Sequence, residues 1–215
     1  GHQFIPELYK RGARAFIISE AIDITVFPEA AFLMVKDTLS ALQQLAAYHR
    51  QQFNIPVIGI TGSNGKTIVK EWLYQLLNED FNIVRSPKSY NSQIGVPLSV
   101  WQMNEHNTLA IFEAGISKPG EMEKLENIIR PTIGVLTNIG EAHGEGFSSA
   151  DEKAKEKIKL FARCPAIVHS KDNMPGELSL EFFHIETWRR DDIAFYHWSR
   201  ERPAWISITK VDKTV

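Results

Sequence analysis

A glycine-bearing segment that contains a lysine and a threonine, residues 61–67, has the composition of a phosphate-binding loop. It follows the apolar run Val57–Ile60 and precedes an amphipathic run, Lys66–Asn78. Its glycines let backbone amides approach an anion, and the start of a helix adds a favourable dipole. In such loops the lysine reaches the β- and γ-phosphates, and the threonine hydroxyl ligates Mg²⁺. The candidate nucleotide-binding residues are therefore Gly62, Ser63, Asn64, Gly65, Lys66 and Thr67.

The loop departs from the general pattern Gly-x4-Gly-Lys-Thr at its first position. That pattern requires glycine at position 60, where this sequence has Ile60, with Gly59 and Gly62 on either side. A glycine turn beside an incidental Lys-Thr pair is the simpler alternative. However, strand, loop, Gly-Lys-Thr and helix all agree, so we expect a phosphate loop that differs from that of a generic ATPase.

Glu113 and His143 each come after an apolar, strand-like run. Glu113 ends the run Leu109–Glu113, and His143 lies six residues past the run Ile133–Thr137. Ligands of open α/β sheets collect at the carboxyl ends of the strands. A carboxylate there can bind Mg²⁺ directly or through water, so Glu113 is a candidate ligand. Mg²⁺ prefers oxygen, so chemistry alone makes His143 a loop residue or a hydrogen-bond donor to phosphate.

Helical periodicity separates one lysine from its neighbours in the run 150–161. The lysines are Lys153, Lys155, Lys157 and Lys159, and the apolar stripe is Ala150, Ala154, Ile158 and Phe161. Lys157 lies within roughly 60° of most of that stripe, whereas the other three are expected to point further away. A partly desolvated lysine favours its neutral amine, which can react with CO₂ to give a carbamate, an oxygen ligand on a long arm. Lys157 is the first candidate for this chemistry and Lys155 the second.

Apolar runs alternate with helical runs over most of the chain and predict an α/β fold. The predicted strands after Pro56 are Val57–Ile60, Asn82–Val84, Leu109–Glu113, Ile133–Thr137 and Ala166–His169, and the predicted helices are Lys66–Asn78, Pro97–Met103, Gly120–Ile129 and Ala150–Phe161. Continuous apolar strands separated by such helices imply a parallel sheet covered on both faces. The pattern weakens beyond Lys171, where Ile193–Trp198 and Trp205–Val211 are possible strands.

The chain divides into three predicted regions. Residues 1–36 contain a short helix and two strands, Ala15–Ser19 and Ala31–Val35, which are too few elements for a complete core. We expect them to be the end of a domain. Residues 37–54 form a connecting helix that follows the capping residue Asp37. Residues 55–215 form the central nucleotide-binding domain, which we expect to be incomplete.

Composition excludes several classes of protein. The 215 residues are 43% hydrophobic and 23% charged, with a formal net charge of −2. These are globular values, and they disfavour a nucleic-acid binder that relies on bulk positive charge. The sequence contains no apolar run near the roughly 18 residues of a membrane span. A single cysteine, Cys164, favours a reducing, cytoplasmic setting.

Several motifs in order give the chain a resemblance to a known family. The loop Thr61–Thr67 resembles that of the Mur ligase and folylpolyglutamate synthetase superfamily, whose members join an amine to a carboxylate using ATP. The following Val69-Lys70-Glu71 narrows the resemblance to the branch of Mur ligases that adds D-alanyl-D-alanine. Further similar segments are Gly1–Ile5 with Gly12-Ala13, Val35–Leu39 with Ala41-Leu42, Asn91–Pro97, Thr137–His143 and Glu145–Phe147. Asn91 stands where the family usually has two adjacent asparagines, the second being Ser92 here.

The resemblance implies a fold and a set of roles. The fold would be a parallel-sheet P-loop ATPase core preceded by the end of a smaller α/β UDP-binding domain. The catalytic residues would be Lys66, His143 and Lys157, and the ligands of two Mg²⁺ ions would be Thr67, Glu113, His143 and carbamylated Lys157. Asn91 would contact the substrate. ATP would phosphorylate the terminal carboxylate of UDP-N-acetylmuramoyl-tripeptide, and the amine of D-alanyl-D-alanine would attack the acyl phosphate.

Three alternatives stay open at this point. The chain could be another Mur or folylpolyglutamate-type ligase, a small-molecule kinase, or a nucleotide-binding fragment without activity. The family's adenine-contacting segment and amino-substrate domain have no match in residues 171–215, so we expect a fragment with little or no ligase turnover. The resemblance also leaves open a fused alanine racemase, and it implies neither a nucleic-acid nor a membrane partner.

Overall fold

The secondary structure of the chain was obtained from a computed structural model, which describes residues 1–140, 146–170 and 185–188. The helices are α1 (Ile5–Lys10), α2 (Thr38–Arg50), α3 (Lys66–Leu77), α4 (Gly95–Val100), α5 (Glu121–Ile129) and α6 (Ala150–Ile158). The strands are β1 (Ala15–Ile18), β2 (Ala31–Met34), β3 (Val57–Thr61), β4 (Ile83–Arg85), β5 (Leu109–Glu113), β6 (Ile133–Leu136), β7 (Ala166–Ser170) and β8 (Ile185–Trp188). Short 3-10 turns cover His2–Phe4, Ile24–Val26 and Lys159–Phe161.

A parallel sheet of six strands forms the centre of the structure. Its order is β4-β5-β3-β6-β7-β8, and every neighbouring pair is parallel. The chain passes from β3 to the β4 edge, returns through β5, and then continues on the other side of β3 with β6. This reversal of direction lies at β3, where ligands of open α/β sheets bind. The predicted α/β fold with a parallel sheet is confirmed.

The two faces of the sheet pack against different helices. Ile58, Ile60, Leu109 and Ile111 form one buried cluster with Val69, Leu73 and Leu77 of α3. The opposite face carries a larger core that includes residues of α2, α4 and α5. Successive side chains of a strand point to opposite faces. The alternation in β5 therefore places Glu113 on the same face as Ile111, beneath α3.

Two adjacent glycines in the sheet make room for the turn that follows α6. Gly59 of β3 pairs in register with Gly134 of β6. A Cβ atom on Gly134 would lie 2.5 Å from Cδ1 of Phe161, and one on Gly59 would lie 3.6 Å from Cδ2 of Leu160. Leu160 and Phe161 are buried in the core at this place. The missing side chains thus let the 159–161 turn approach the sheet, and this approach fixes the position of α6.

Helix α2 packs onto the central domain through a buried arginine. The Arg50 guanidinium donates to the carbonyls of Ile129 at 2.9 Å, Arg130 at 3.3 Å and Phe53 at 2.7 Å. Ile129 ends α5, so the cation also lies at the negative end of that helix dipole. The more distant N-terminal part holds a separate two-stranded parallel sheet, β1 with β2. The division at residues 36 and 54 stays a prediction.

Most predicted elements differ from the observed ones by one to three residues at their ends. Helix α4 covers Gly95–Val100 instead of Pro97–Met103, and α2 ends at Arg50 rather than at residue 54. Pro97 thus lies in the first turn, where a missing amide hydrogen costs no helical hydrogen bond. Strand β8 was not predicted. The possible strands 193–198 and 205–211 lie outside the described residues. In the parts of the chain that the structure describes, no helix is both long and apolar enough to cross a membrane.

Candidate nucleotide-binding site

The segment between β3 and α3 has the backbone geometry of a glycine loop. Gly62 has a φ of +145° and Gly65 a φ of +80°, both in the region that disfavours side chains. Gly65 is the N-terminal cap of α3, so the helix begins at Lys66. The amides of the first turn have no partner within the helix and point out of its end. This end of α3 can therefore accept an anion.

Thr137 and Asn138, which follow β6, brace the loop from the side. The amide of Ser63 donates to the Asn138 carbonyl, and the amide of Asn64 donates to Asn138 Oδ1, both at 2.8 Å. The Thr137 hydroxyl donates to the Asn64 carbonyl at 2.5 Å. The Ser63 and Asn64 amides are thus occupied within the protein. A phosphate would therefore be bound by the N-terminus of α3 rather than by these two amides.

Two lysines from different helices reach the same carbonyl oxygen in the loop. Lys66 Nζ donates to Gly62 O at 2.8 Å, and Lys157 Nζ donates to the same atom at 3.1 Å. Lys157 is only 2% exposed, as helical periodicity indicated. The structure therefore brings Lys157 of α6 to the phosphate loop.

The exposure of the other lysines of α6 agrees only partly with the prediction. Lys155 is 63% exposed and pairs with Asp151 at 2.7 Å, away from the loop. Lys153, which was expected to point further from the packed side, is buried as well. Helix α6 is packed on two sides, since Glu156 accepts the amide of Met122 while Lys157 reaches Gly62. The buried surface is wider than the apolar stripe, and the expectation for Lys153 was wrong.

Glu113 and Thr67 present oxygen ligands next to each other beside the loop. The Thr67 hydroxyl donates to Glu113 Oε2 at 3.0 Å, and Glu113 is fully buried. The position of Thr67, at the second residue of α3, comes from the loop geometry, and that of Glu113 from the end of β5. A hydroxyl and a carboxylate are the ligands that Mg²⁺ prefers, so these residues suit a magnesium ion.

A buried lysine that the sequence reasoning missed lies behind Glu113. Lys70 is fully buried, and its Nζ lies 2.9 Å from Glu113 Oε1 and 3.2 Å from Glu71 Oε1. It also donates to the carbonyls of Ser86, at 2.8 Å, and Lys88. Burial alone would raise the pKa of Glu71, but hydrogen bonds from Lys70 and Arg85 hold that pKa below its ordinary value. The sequence signal was the position of Lys70 on the inner stripe of α3, between Lys66 and Leu73.

Asn91 lies near the end of β5, on the loop that leads into α4. Its carbonyl accepts the amide of Gly115 at 2.7 Å, and a Cβ atom on Gly115 would meet the Asn91 side chain at 3.0 Å. The Ser92 hydroxyl accepts the amide of Gly95 at the start of α4. These contacts hold Asn91 beside Gly115, which lies two residues after Glu113 at the end of β5.

His143 lies outside the described residues, so its predicted metal role stays a prediction. Within the described residues, no group of three or more histidine, cysteine, aspartate or glutamate side chains is arranged to hold a metal. The structure therefore brings together Lys66, Thr67, Glu113 and Lys157. It adds Lys70 and Asn138, which the sequence analysis named only within motifs and gave no role in the site.

Comparison with known proteins identifies the family. The family model of the Mur ligase middle domain matches residues 60–187. The ligase of Bacillus subtilis named UDP-N-acetylmuramoyl-tripeptide–D-alanyl-D-alanine ligase is 35% identical over 162 residues, which are 75% of this chain and 35% of that protein. The protein of the same name from Synechocystis is 38% identical over 191 residues, which are 87% of this chain and 42% of that protein. The chain thus spans about two fifths of the length of these relatives or less.

Solved structures give the same result. A crystal structure of MurF from Acinetobacter baumannii superposes with a TM-score of 0.78 and 26% identity, over 91% of this chain and 43% of that one. MurF from Thermotoga maritima, solved in complex with ADP, superposes with a TM-score of 0.71 and 30% identity, over 80% of this chain and 40% of that one. The chain therefore belongs to the Mur ligase family, of which it carries the middle domain.

Proposed function

We propose that the chain provides the ATP-binding part of an ATP-dependent ligase that adds D-alanyl-D-alanine to UDP-N-acetylmuramoyl-tripeptide. The reaction is a step of peptidoglycan precursor synthesis, and the relatives from Bacillus subtilis and Synechocystis carry the name of this ligase. The observation that carries the proposal is the meeting of Lys66, Thr67 and Glu113 at the start of α3. These groups supply a cation and two oxygen ligands beside the N-terminus of a helix, which is what a nucleotide with Mg²⁺ requires.

The residues present suit the ions that the family implies. Thr67 and Glu113 would hold one Mg²⁺ through oxygen, and His143 together with a carbamate on Lys157 would hold a second. Bound Mg²⁺ would neutralise charge on the phosphate oxygens. Burial of Lys157 against Gly62 supports the carbamate, because a desolvated amine is the form that reacts with CO₂. Lys155, which is exposed and paired with Asp151, is the weaker candidate.

The chain's own groups position and neutralise the reacting partners. Phosphoryl transfer requires in-line placement and charge stabilisation more than covalent help from the protein. Lys66 and the amides at the start of α3 would hold the β- and γ-phosphates. The terminal carboxylate of the tripeptide would take the γ-phosphoryl group, and ADP would leave. The amine of D-alanyl-D-alanine would then attack the acyl phosphate, releasing inorganic phosphate and forming the amide.

Asn91 is the proposed substrate contact from this chain. It lies on the same edge of the sheet as Glu113, on the loop before α4. A side-chain amide there can both donate to and accept from a peptide substrate. The two peptide substrates are the proposed partners, and a fused alanine racemase stays a prediction. We place the reaction in the cytoplasm, which fits the use of ATP and a single cysteine.

Calorimetric titration with ADP and Mg²⁺ tests the nucleotide site. The variant Lys66→Ala removes a charge-assisted contact to phosphate of about 1.5–3 kcal/mol, so we expect ADP affinity to fall about tenfold or more. The matched control Lys155→Ala removes an exposed lysine and should leave the affinity within about twofold. Equal binding of ADP by the wild type and Lys66→Ala would contradict the proposal.

The alternative functions are separated by substrate. Incubating the chain with ATP and each substrate pair, with phosphate release as the readout, tests the prediction that these residues alone show little or no turnover. Release with glutamate as the amine donor, but not with D-alanyl-D-alanine, would favour a folylpolyglutamate-type ligase. ATP consumption with no amine donor present would favour a kinase.

A further inference from the structure

Lys70 is a charged residue inside a helix–sheet interface, where it contacts two carboxylates and two backbone carbonyls. Its side chain is 0% exposed, on the face of α3 that packs against the sheet. Burying an ammonium group is unfavourable unless it is paired and hydrogen-bonded, whereas an apolar residue at this position would pack without that penalty. The lysine therefore has a role that packing at this interface does not explain.

We propose that Lys70 is a positioning residue that holds the metal-binding carboxylate of Glu113 and the loop 86–91 in one arrangement. The inference rests on the proposed function, because it assigns the metal role to Glu113. Lys70 does not reach the start of the phosphate loop, where Lys66 donates to Gly62. It acts through the groups that it contacts.

The first part of the argument is the division of the Glu113 carboxylate between two partners. Oε1 pairs with Lys70 Nζ at 2.9 Å, and Oε2 accepts from the Thr67 hydroxyl at 3.0 Å. The contact at Oε1 is an ion pair without hydrogen-bond geometry; its attraction holds Oε1 on the side of Lys70 and leaves Oε2 facing Thr67. A metal ion beside Thr67 is therefore offered one oxygen of Glu113, in a fixed orientation.

The second part is the path from Lys70 to the loop that carries Asn91. Lys70 Nζ donates to the carbonyls of Ser86 and Lys88. Lys88 has a φ of +49°, a left-handed conformation that is unfavourable for a residue with a side chain. The ammonium group stabilises this turn from inside, and the chain continues from it to Asn91. The buried ammonium group of Lys70 thus fixes the position of the Glu113 carboxylate and also that of the loop that carries Asn91.

Arg85 provides a matched control in the same network. It pairs with Glu71 and stacks over the Tyr74 ring at 3.9 Å. It is on the outer side of the cluster, 30% exposed, and it forms its ion pair with Glu71. The variant Arg85→Met therefore removes a cation next to Lys70 without removing a contact to Glu113.

The first experiment measures the apparent affinity for Mg²⁺ by titrating MgCl₂ into the chain with ADP. We expect Lys70→Met to weaken the Mg²⁺ affinity tenfold or more while ADP binding without Mg²⁺ changes less than threefold. Arg85→Met should keep the wild-type Mg²⁺ affinity within about twofold. An unchanged or tighter Mg²⁺ affinity in folded Lys70→Met overturns the inference.

The second experiment follows amide hydrogen exchange in residues 86–91 by mass spectrometry, without nucleotide. Exchange in this loop should be at least tenfold faster in Lys70→Met and unchanged in Arg85→Met. Glu113→Gln separates the two roles, because it should lose Mg²⁺ affinity and keep the loop protected. Wild-type protection of the loop in Lys70→Met overturns the inference.

A further variant keeps the test valid if Lys70→Met does not fold. The double variant Lys70→Met with Glu113→Gln removes both buried charges, and its loop should exchange fast in a folded chain. A protected loop in this variant counts against the inference. The proposed function fails separately, if the wild type binds no ADP or if Mg²⁺ does not tighten that binding.

Discussion

Lys66 and Lys157 donate hydrogen bonds to the same acceptor, the carbonyl oxygen of Gly62, at 2.8 Å and 3.1 Å. Lys66 opens α3 on one face of the sheet, and Lys157 comes from α6, whose C-terminal turn packs on the other face. Because they share an oxygen, the two side-chain nitrogens lie within about 6 Å of each other. The two lysines of the proposed site are therefore brought to one point of the phosphate loop from different helices.

Carbamylation of Lys157 can be detected directly. With ¹³C-labelled bicarbonate, we expect one carbamate carbon resonance in the wild type, because burial favours the reactive amine. Lys155→Ala should keep that resonance and Lys157→Ala should lose it. A resonance that persists in Lys157→Ala but disappears in Lys155→Ala would assign the modification to the other lysine.

Replacing Gly62 by alanine should disable the phosphate loop. A Cβ atom at Gly62 would lie 2.0 Å from Thr137 Oγ1 and 3.0 Å from the Asn138 amide nitrogen, so the loop must move. We expect ADP affinity to fall at least tenfold in calorimetry. Gly120→Ala is the control, since Gly120 also has a positive φ, +79°, but its added Cβ would meet nothing within 4 Å. If Gly62→Ala and Gly120→Ala bind ADP equally well, the close approach of Thr137 and Asn138 to Gly62 does not determine ADP affinity.

Arg50→Met should destabilise the fold by detaching α2 from the central domain. The substitution leaves the buried carbonyl of Ile129 and the part-buried carbonyls of Arg130 and Phe53 without this donor. Loss of these hydrogen bonds, one of them buried, predicts a decrease of about 2–4 kcal/mol in the free energy of unfolding. Urea denaturation measures it, with Arg11→Met as the control, since Arg11 forms only an exposed pair with Glu7. A loss below about 0.5 kcal/mol would show that α2 is held by other contacts.

The thiol of Cys164 should not react with labelling reagents in the folded chain. Its burial should also make the free energy of unfolding decrease at alkaline pH. Cys164 is 7% exposed, and burial together with the charge of Glu126 raises its pKa from 9.0 to about 12. The thiolate is the form that reacts with disulfide reagents, so at pH 8 labelling should require unfolding. Because the folded pKa is raised, its contribution to stability is present below pH 9 and declines as the pH rises toward 12. Rapid labelling of the native chain, at the rate found in denaturant, would contradict this.

The sequence predicted the local features of the site better than its long-range contacts. The loop 62–67 and the burial of Lys157 follow from short motifs and helical periodicity, which act over one element. Asn138 was missed because its hydrogen bonds to Ser63 and Asn64 join residues more than 70 positions apart. Such contacts depend on the pairing of β3 with β6, which no local pattern encodes.

Two further errors have identifiable physical reasons. Lys153 is buried although it lies off the apolar stripe, because α6 is packed on two sides and a hydrophobic pattern detects only the apolar one. Lys70 was treated as a family marker, although its place on the inner face of α3 indicated burial. In both cases a charged residue occupies a core position, and patterns built on apolar residues overlook it.

The bracing of the phosphate loop by Asn138 has a consequence for the thermodynamics of nucleotide binding. Ser63 and Asn64 already donate to Asn138, so their backbone is ordered before any ligand arrives. Ordering a residue's backbone costs about 1–2 kcal/mol, and here folding has already met that cost. Nucleotide association should therefore carry only a small conformational-entropy penalty from these residues, and Asn138→Ala should make that penalty larger.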